Sequence, residues 1–399
     1  MFKFIKCFSF LIFITIYLTA YSQKKYKSAT VAFYNLENLF DTINSSGFIN
    51  GNLKINDPEY HISIPTEKIS DFDTIYFNKP YSYENLIGKK VIRPLILQDE
   101  FLPNGKKKWN SEKYYTKINN LASVIADIGK EFTQQPPTIV GICEVENKEV
   151  IQDLVNSKYL KDLNYGIVHF NSLDNRGIDV GLIYLKDRFI TTQTIPHPVY
   201  IYDENGYRKY TRDILQVSGY LDNEEITFLV NHWPSRSSGE KITIPHRIEA
   251  ARVALSIINS IKANNKTAKI ILMGDFNDDP NSTSIKETFN PIGEIKNVID
   301  DGYYNGFMPL FKKGIGTLAY RDSWNLFDQI ITTSSLITKD KKFLTYKIHK
   351  VGVYNKDYLI NKEGSYKGYP NRMWNGDNFK SNGYSDHFPV YTILLKEIN

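Results

Sequence analysis

A chain of 399 residues with 42% hydrophobic and 23% charged side chains has a globular composition, which excludes a disordered, collagen-like or coiled-coil chain. Its 49 basic and 44 acidic residues leave a net +5, which permits a polyanionic partner without requiring one. Cys7 and Cys143 are the only cysteines, so a disulfide framework is excluded. The length suits two average domains or one large α/β domain.

The chain opens MFKFIKCFSFLIFITIYLTAYSQ, with Lys3 and Lys6 ahead of an apolar run over residues 8–20. Ala20 and Ser22 stand at −3 and −1 of a cut before Gln23. Residues 1–22 therefore read as a signal peptide, too short in its apolar part to span a bilayer as a ~20-residue helix. Cys7 lies too early to serve as a lipidation site. Export to a periplasm or beyond the cell is expected, as a monomer without stable membrane insertion once residue 23 is the new start.

Strand-like runs and helical patterns then alternate, as in an α/β fold. TVAFYNL (30–36) reads as the first strand. Residues 42 to about 110 carry Asn, Asp, Pro and Lys without sustained periodicity and read as an insertion. A helix over 117–128 follows, with Ile118, Leu121, Ile125 and Ile128 on one face. TIVGICE (138–144), IDVGLIYL (178–185), EITFLVNHW (225–233) and KIILMGDF (269–276) are strands. Between the last two, Pro245 is expected to open a helix whose apolar face is Ile248, Ala251, Leu255, Ile258 and Ile261. FDQIITT (327–333) and FPVYTILL (388–395) complete the strands.

Polar side chains crowd the ends of these strands. Asn35 and Glu37 follow the first, Glu144 ends the second, Asp179 starts the third, and Asn231 and His232 end the fourth. Asp275 and Asn277 end the fifth, Asp328 starts the sixth, and Asp386 and His387 precede the last. One such residue is normally a turn former or cap. Their recurrence at strand edges, where α/β proteins assemble sites, points to chemistry. Carboxylates and amides without paired cysteines favour a hard cation such as Mg²⁺, Mn²⁺ or Ca²⁺. Histidine beside carboxylate suits proton transfer and stabilisation of a phosphate's developing charge, so metal-assisted attack of water on a phosphate ester is indicated. His61, His169, His197, His246 and His349 stand apart and read as structural, and Cys143 reads as a core thiol.

FYNLENLFD (33–41), GICEVEN (141–147), NRGIDVGLIY (175–184), VNHWPSR (230–236), MGDFNDDP (273–280), WNLFDQI (324–330) and GYSDHFPVY (383–391) resemble, in order, the motifs of the endonuclease/exonuclease/phosphatase superfamily. The resemblance implies a four-layer α/β sandwich, two mixed sheets face to face with helices outside. It implies Glu144 as main metal carboxylate, supported by Asn35 and Asp386. Asp275 would orient or deprotonate the attacking water and Asn277 would hold a phosphate oxygen. His387, fixed by Asp328, would stabilise the transition state or assist proton transfer. His232 would protonate the leaving oxygen, with Asp179 as its carboxylate partner. Arg176 and Arg236, in NRGIDVG and NHWPSR, are candidate phosphate contacts, and Asn231 is a candidate substrate contact. Glu37 stands where relatives often have Asp or a neutral residue, which suggests a supporting role.

For the substrate, EGSYKGYPNRMWNG (363–376) interleaves Tyr366, Tyr369 and Trp374 with Lys367 and Arg372, a mixture suited to bases and phosphates. Nucleic acid is thus the expected substrate, with lipid headgroups or small phosphate esters as the alternative. No long apolar hairpin suited to membrane insertion accompanies the motifs.

Overall fold

The structure is a computed structural model that describes residues 24–42, 82–84, 90–92, 100–101, 103–172, 174, 176–202, 208–237 and 239–398. The expected signal peptide and most of the expected insertion lie outside these residues. Two six-stranded sheets form the centre. The first is built from β1 (Lys25–Leu39), β2 (Ile139–Val145), β3 (Tyr165–His169), β4 (Asp179–Leu185), β13 (Lys347–Val353) and β14 (Val390–Ile398), in the order β13-β14-β1-β2-β4-β3. The second comprises β5 (Phe189–His197), β6 (Ile214–Leu221), β7 (Glu224–His232), β8 (Ile270–Asp275), β9 (Tyr303–Tyr304) and β12 (Asp328–Thr333), in the order β9-β12-β8-β7-β6-β5. Each is mixed: β1 runs parallel to β2 and β7 parallel to β8, while the other neighbours are antiparallel. A short hairpin, β10 (Leu318–Tyr320) and β11 (Ser323–Asn325), stands outside them.

Strand alternation explains the layering. In β1, Val31 and Phe33 enter a core shared with Val217, Phe228, Val230, Ile271 and Met273 of the second sheet. Ala32 and Tyr34 point the other way, to a core closed by Ile118, Leu121 and Ile125 of helix α1 (Ser111–Asp127). The outer face of the second sheet, with Leu229, Ile270, Leu272 and Ile331, packs on helix α3 (Glu240–Asn264). Helix α2 (Lys148–Val155) joins the α1 layer through Val150, Ile151 and Leu154, and helix α4 (Thr283–Phe289) joins the α3 layer through Ile285 and Phe289. The result is the expected four-layer α/β sandwich. Phe101 and Trp109, from the last stretch of the expected insertion, are buried in the core under α1, where the Trp109 indole donates to the Phe40 carbonyl at 3.0 Å. Among the described residues, no helix is long and apolar enough to cross a membrane.

Several elements differ from expectation. Pro245 lies inside α3, which begins at Glu240, and the buried face is Thr243, Arg247, Ala250, Ala251, Ala254, Ile257 and Ile258. Arg247 turns this face: fully buried, it places Nε 2.8 Å from Asp278 Oδ1, an inward pull that apolar periodicity does not register. Asn35 and Glu37 lie within β1, which continues to Leu39. The edge strands β3, β5 and β13 and the inner strand β6 have weaker apolar runs and were not anticipated.

Candidate active site

The site forms where β1, β2, β7 and β8 end and the antiparallel β12 begins, and backbone irregularities aim its side chains. The β1–β2 pairing shifts register between Asn35 and Leu39, with Glu37 and Asn38 at φ 49° and 51°. The β2–β4 pairing shifts between Cys143 and Val145, with Glu144 at φ 59°. Such left-handed conformations are unfavourable for residues with a Cβ and persist where surrounding contacts fix them. Here a bulge breaks the in–out alternation and re-aims a side chain. The Asn38 N–H donates to Glu144 Oε2 at 2.9 Å, tying the two bulges together. Lys117 supports the first from below: fully buried on α1, it donates through Nζ to the Glu37 carbonyl.

Asp275 is the hub. Its Oδ2 accepts from the Asn35 amide at 3.1 Å and its Oδ1 from the Asn277 N–H at 2.9 Å. Two imidazoles face the same carboxylate, with His232 Nε2 at 3.7 Å and His387 Nε2 at 3.9 Å from Oδ2. The other His387 nitrogen, Nδ1, lies 2.7 Å from Asp328 Oδ2. A carboxylate can only accept, so Nδ1 carries a proton and Nε2 faces Asp275. His232 Nε2 is also 3.8 Å from Glu144 Oε1.

The two histidines have opposite electrostatics. Burial pushes His232 well below its usual pKa, and the nearby Arg212 guanidinium adds to this despite Glu144. Burial would lower His387 as well, but the charge and hydrogen bond of Asp328, with Asp275 and Asp386, hold it well above. Asp275 is pushed up to about 7, first by burial and then by Asp328. Glu144 also suffers burial, yet Arg176 and His232 outweigh it and hold the carboxyl at about 2.

Two arginines cap the carboxylates. Arg176 Nη2 lies 3.2 Å from Glu144 Oε2 and donates to Asn38 Oδ1 at 2.5 Å. Arg372 donates through Nε to Glu37 Oε1 at 2.8 Å and lies 3.3 Å from Asp386 Oδ2. Glu37, buried, is raised to about 7 by burial and by Asp386. Its Oε2 is buried without a hydrogen-bond partner.

The donor set fits a hard divalent cation. Glu144, Asp386 and the unpartnered Glu37 oxygen are all oxygen donors, as Mg²⁺, Mn²⁺ and Ca²⁺ require. Asn35 has already committed its amide hydrogen to Asp275 and one lone pair of Oδ1 to the Glu37 N–H at 2.9 Å, so it contributes through a second lone pair at most. Asp275, Asp328 and His387 also present ligand atoms within 4.8 Å of one another. There the 2.7 Å His387–Asp328 bond occupies one imidazole nitrogen, which makes that trio better suited to proton handling.

Three expected residues are used differently. Asp179 does not meet His232: its Oδ2 lies 3.1 Å from His169 Nε2 and its Oδ1 accepts the Ser172 N–H at 2.7 Å. His232 Nδ1 is instead buried without a hydrogen-bond partner. Asn231 is fully buried, donating to the Leu229 and Met273 carbonyls and accepting the Trp233 indole, so it is a sheet residue and not a substrate contact. Arg236 is held by Asp278 at 2.9 Å, by the Asn277 carbonyl at 2.8 Å and by Glu240 at 3.1 Å, and therefore positions the GDFN loop. Asn277, at φ 49°, stays at the site: it spends one amide hydrogen on the Trp233 carbonyl at 2.9 Å, and its other amide hydrogen makes no hydrogen bond among the described residues.

Sequence reasoning missed Lys117, Asn38, Asp174 and Arg212. Arg212 is buried and donates to Asp174 at 2.9 Å and to the carbonyls of His232 and Trp233 at 3.1 and 2.5 Å, fixing the strand end that carries His232. Lys117 left one signal, a cation one residue before Ile118 on the inward side of an amphipathic helix.

No curated protein matches the sequence. Among solved structures, a humanized D. rerio TDP2 is similar at 12% identity, covering 92% of this chain and 98% of that one with a TM-score of 0.48. An endonuclease/exonuclease/phosphatase family protein from Bacteroides thetaiotaomicron is similar at 14% identity, over 94% and 98% of the two chains, TM-score 0.48. A mannosyl-6-phosphatase from Bacteroides thetaiotaomicron VPI-5482 matches at 14% identity, over 93% and 100%, TM-score 0.46. The model of the Endonuclease/Exonuclease/phosphatase family matches residues 78–396. The chain belongs to that family, whose members are phosphate ester hydrolases that generally depend on a divalent metal.

Proposed function

We propose that this chain is an exported phosphodiesterase that uses Mg²⁺ or Mn²⁺ to hydrolyse DNA or RNA with little sequence preference. The observation that carries this reading is the pair of histidines whose Nε2 atoms both face one carboxylate oxygen, Asp275 Oδ2, at 3.7 and 3.9 Å. Asp275 accepts a proton from water, or orients it, at the centre. His387, kept cationic by Asp328, stabilises charge on the phosphoryl oxygens. His232, kept neutral at rest by burial and fixed from behind by Arg212, would take up from Asp275, 3.7 Å away, the proton removed from water and pass it to the leaving oxygen. A poor leaving group such as a sugar alkoxide needs such a donor. Glu144 and Asp386, with support from Glu37 and Asn35, would hold a divalent cation that polarises the phosphoryl group when bound. Arg176 and Arg372 lie against those carboxylates and would turn their remaining guanidinium hydrogens to phosphate oxygens. Export is supported by residues 1–22 alone.

The test is incubation of the purified chain with plasmid, single-stranded DNA and RNA under Mg²⁺ or Mn²⁺. Degradation that a chelator stops supports the reading. Intact nucleic acid under every metal, with release of inorganic phosphate from small phosphomonoesters, would replace it with a phosphatase.

A further inference from the structure

Beside the site stands a surface that the catalytic residues leave unexplained. Phe388, next to His387, stacks on Trp324 at 6.1 Å between ring centroids and 12° between planes. Trp324 meets Tyr369 at 6.0 Å, and Tyr369 meets Tyr366 at 5.7 Å. The rings thus step outward from the residue after His387 to a tyrosine that is 51% exposed. The β10–β11 hairpin carries Trp324 and, at its tip, Tyr320, 63% exposed with the Arg321 guanidinium 5.2 Å above its ring.

The surface is fixed in place. The Phe388 N–H donates to the Thr317 carbonyl at 2.8 Å, joining the hairpin base to the strand entry behind His387. The tip is a two-residue turn with Arg321 and Asp322 at φ 49° and 60°. Tyr369 clamps that turn, donating its hydroxyl hydrogen to Asp322 Oδ1 at 2.6 Å and accepting the Asp322 N–H at 2.7 Å. Three residues later the same segment delivers Arg372 to Glu37 and Asp386. Scattered exposed tyrosines need no explanation, but rings locked in a line from the reacting centre do.

From this juxtaposition we infer that Tyr320, Trp324, Tyr369 and Tyr366 form a stacking platform for the unpaired bases flanking the cleaved bond of a single-stranded nucleic acid. The inference rests on the phosphodiesterase reading above. Flat rings also stack on sugars, and the charges decide between the two. Arg321 and Lys367 flank the platform and form no ion pair among the described residues. A phosphosugar carries its one phosphate to the centre and has no use for them, whereas a polynucleotide brings further phosphates past them. Trp374, expected from the sequence to join such a surface, is buried against Trp109 and Phe379 and takes no part.

The experiment compares the full exported chain with the variant Tyr320→Ser/Tyr366→Ser under Mg²⁺ and Mn²⁺. Substrates are a dT12 oligonucleotide, a 12-base-pair duplex and bis-(p-nitrophenyl) phosphate. The expected result is a KM for dT12 raised at least ~5-fold, the stacking of one base, with bis-(p-nitrophenyl) phosphate turned over as before. The variant Arg321→Gln/Lys367→Gln keeps every ring and should flatten the salt dependence of the dT12 KM. An unchanged dT12 KM, an equal rise for the duplex, or dT12 left intact while the small diester is cleaved would each overturn the platform and leave the phosphodiesterase standing. If neither dT12 nor the small diester is cleaved, the underlying reading falls with it.

Discussion

Replacing Asp328 by Asn separates what the His387 partner does electrically from what it does sterically. Asp328 is fully buried, and the 2.7 Å bond from His387 Nδ1 is its only hydrogen bond to an imidazole. The amide is isosteric, so an oxygen can still accept that bond and hold the ring. The negative charge is lost. Opposite charges ~4 Å apart interact by ~4 kcal/mol at an effective dielectric of about 20, an upper bound for what the imidazolium loses. A realised loss of ~2–4 kcal/mol lowers kcat by roughly 30- to 1,000-fold. Stability should fall as well, because the Asp328 charge that raises His387 also stabilises the folded state, a loss offset in part by removal of a buried carboxylate whose Oδ1 has no partner. The assay is steady-state hydrolysis of bis-(p-nitrophenyl) phosphate beside a thermal melt. A kcat within threefold of the parent, at an unchanged Tm, would refute the idea that Asp328 charges His387 for the reaction.

Far from the site, Asp222 is half-buried yet held below its usual pKa, because hydrogen bonds from Arg188, Lys27 and Tyr346 and the Arg188 charge outweigh burial. A depressed carboxylate stabilises the fold above its unfolded pKa, and that contribution is lost as pH falls through the folded value. Asp222→Asn should therefore cost on the order of 1–3 kcal/mol at pH 7 and progressively less as pH falls below the usual aspartate value, read from melts across that range. A Cβ on Gly274 would lie 2.3 Å from the Asn231 carbonyl oxygen, in backbone that cannot yield. Gly274→Ala should thus lower stability by more than ~1–3 kcal/mol and part the strands that carry His232 and Asp275, seen as loss of soluble, active chain. Burial pushes the Cys143 thiol far up, so in the chain starting at residue 23 a thiol reagent should react only after denaturant is added. Reaction in the native state would contradict the inner-core placement.

Much of this molecule is legible in its sequence, for a physical reason. Strands β2, β7 and β8 are inner strands buried on both faces, so their apolar runs stand out, and the polar residues that end them are conspicuous. Edge strands such as β5, with exposed Ile190 and alternating threonines, carry no such contrast. The Asp179–His232 pairing failed because order along a motif does not fix which side chains converge. Asp179 starts a strand of the first sheet, and its side chain meets His169 at the end of β3, while His232 ends a strand of the second. The bulges at Glu37, Asn38 and Glu144 were equally hidden, since nothing in ENL or CEV requires a left-handed residue and only tertiary contacts hold one there. Lys117 and Arg212 act largely through backbone carbonyls, which a side-chain pattern does not name, so the inward position of Lys117 on its helix was the one trace left.

The most direct measurement is metal-dependent hydrolysis of bis-(p-nitrophenyl) phosphate by the parent chain, Glu144→Ala and His387→Ala, each with and without chelator. Turnover by the parent that the chelator abolishes, with both variants reduced by ~100-fold or more at unchanged fold, is expected if the Asp275-centred site carries the chemistry. Turnover that survives chelation, or variants as active as the parent, would place the reaction elsewhere.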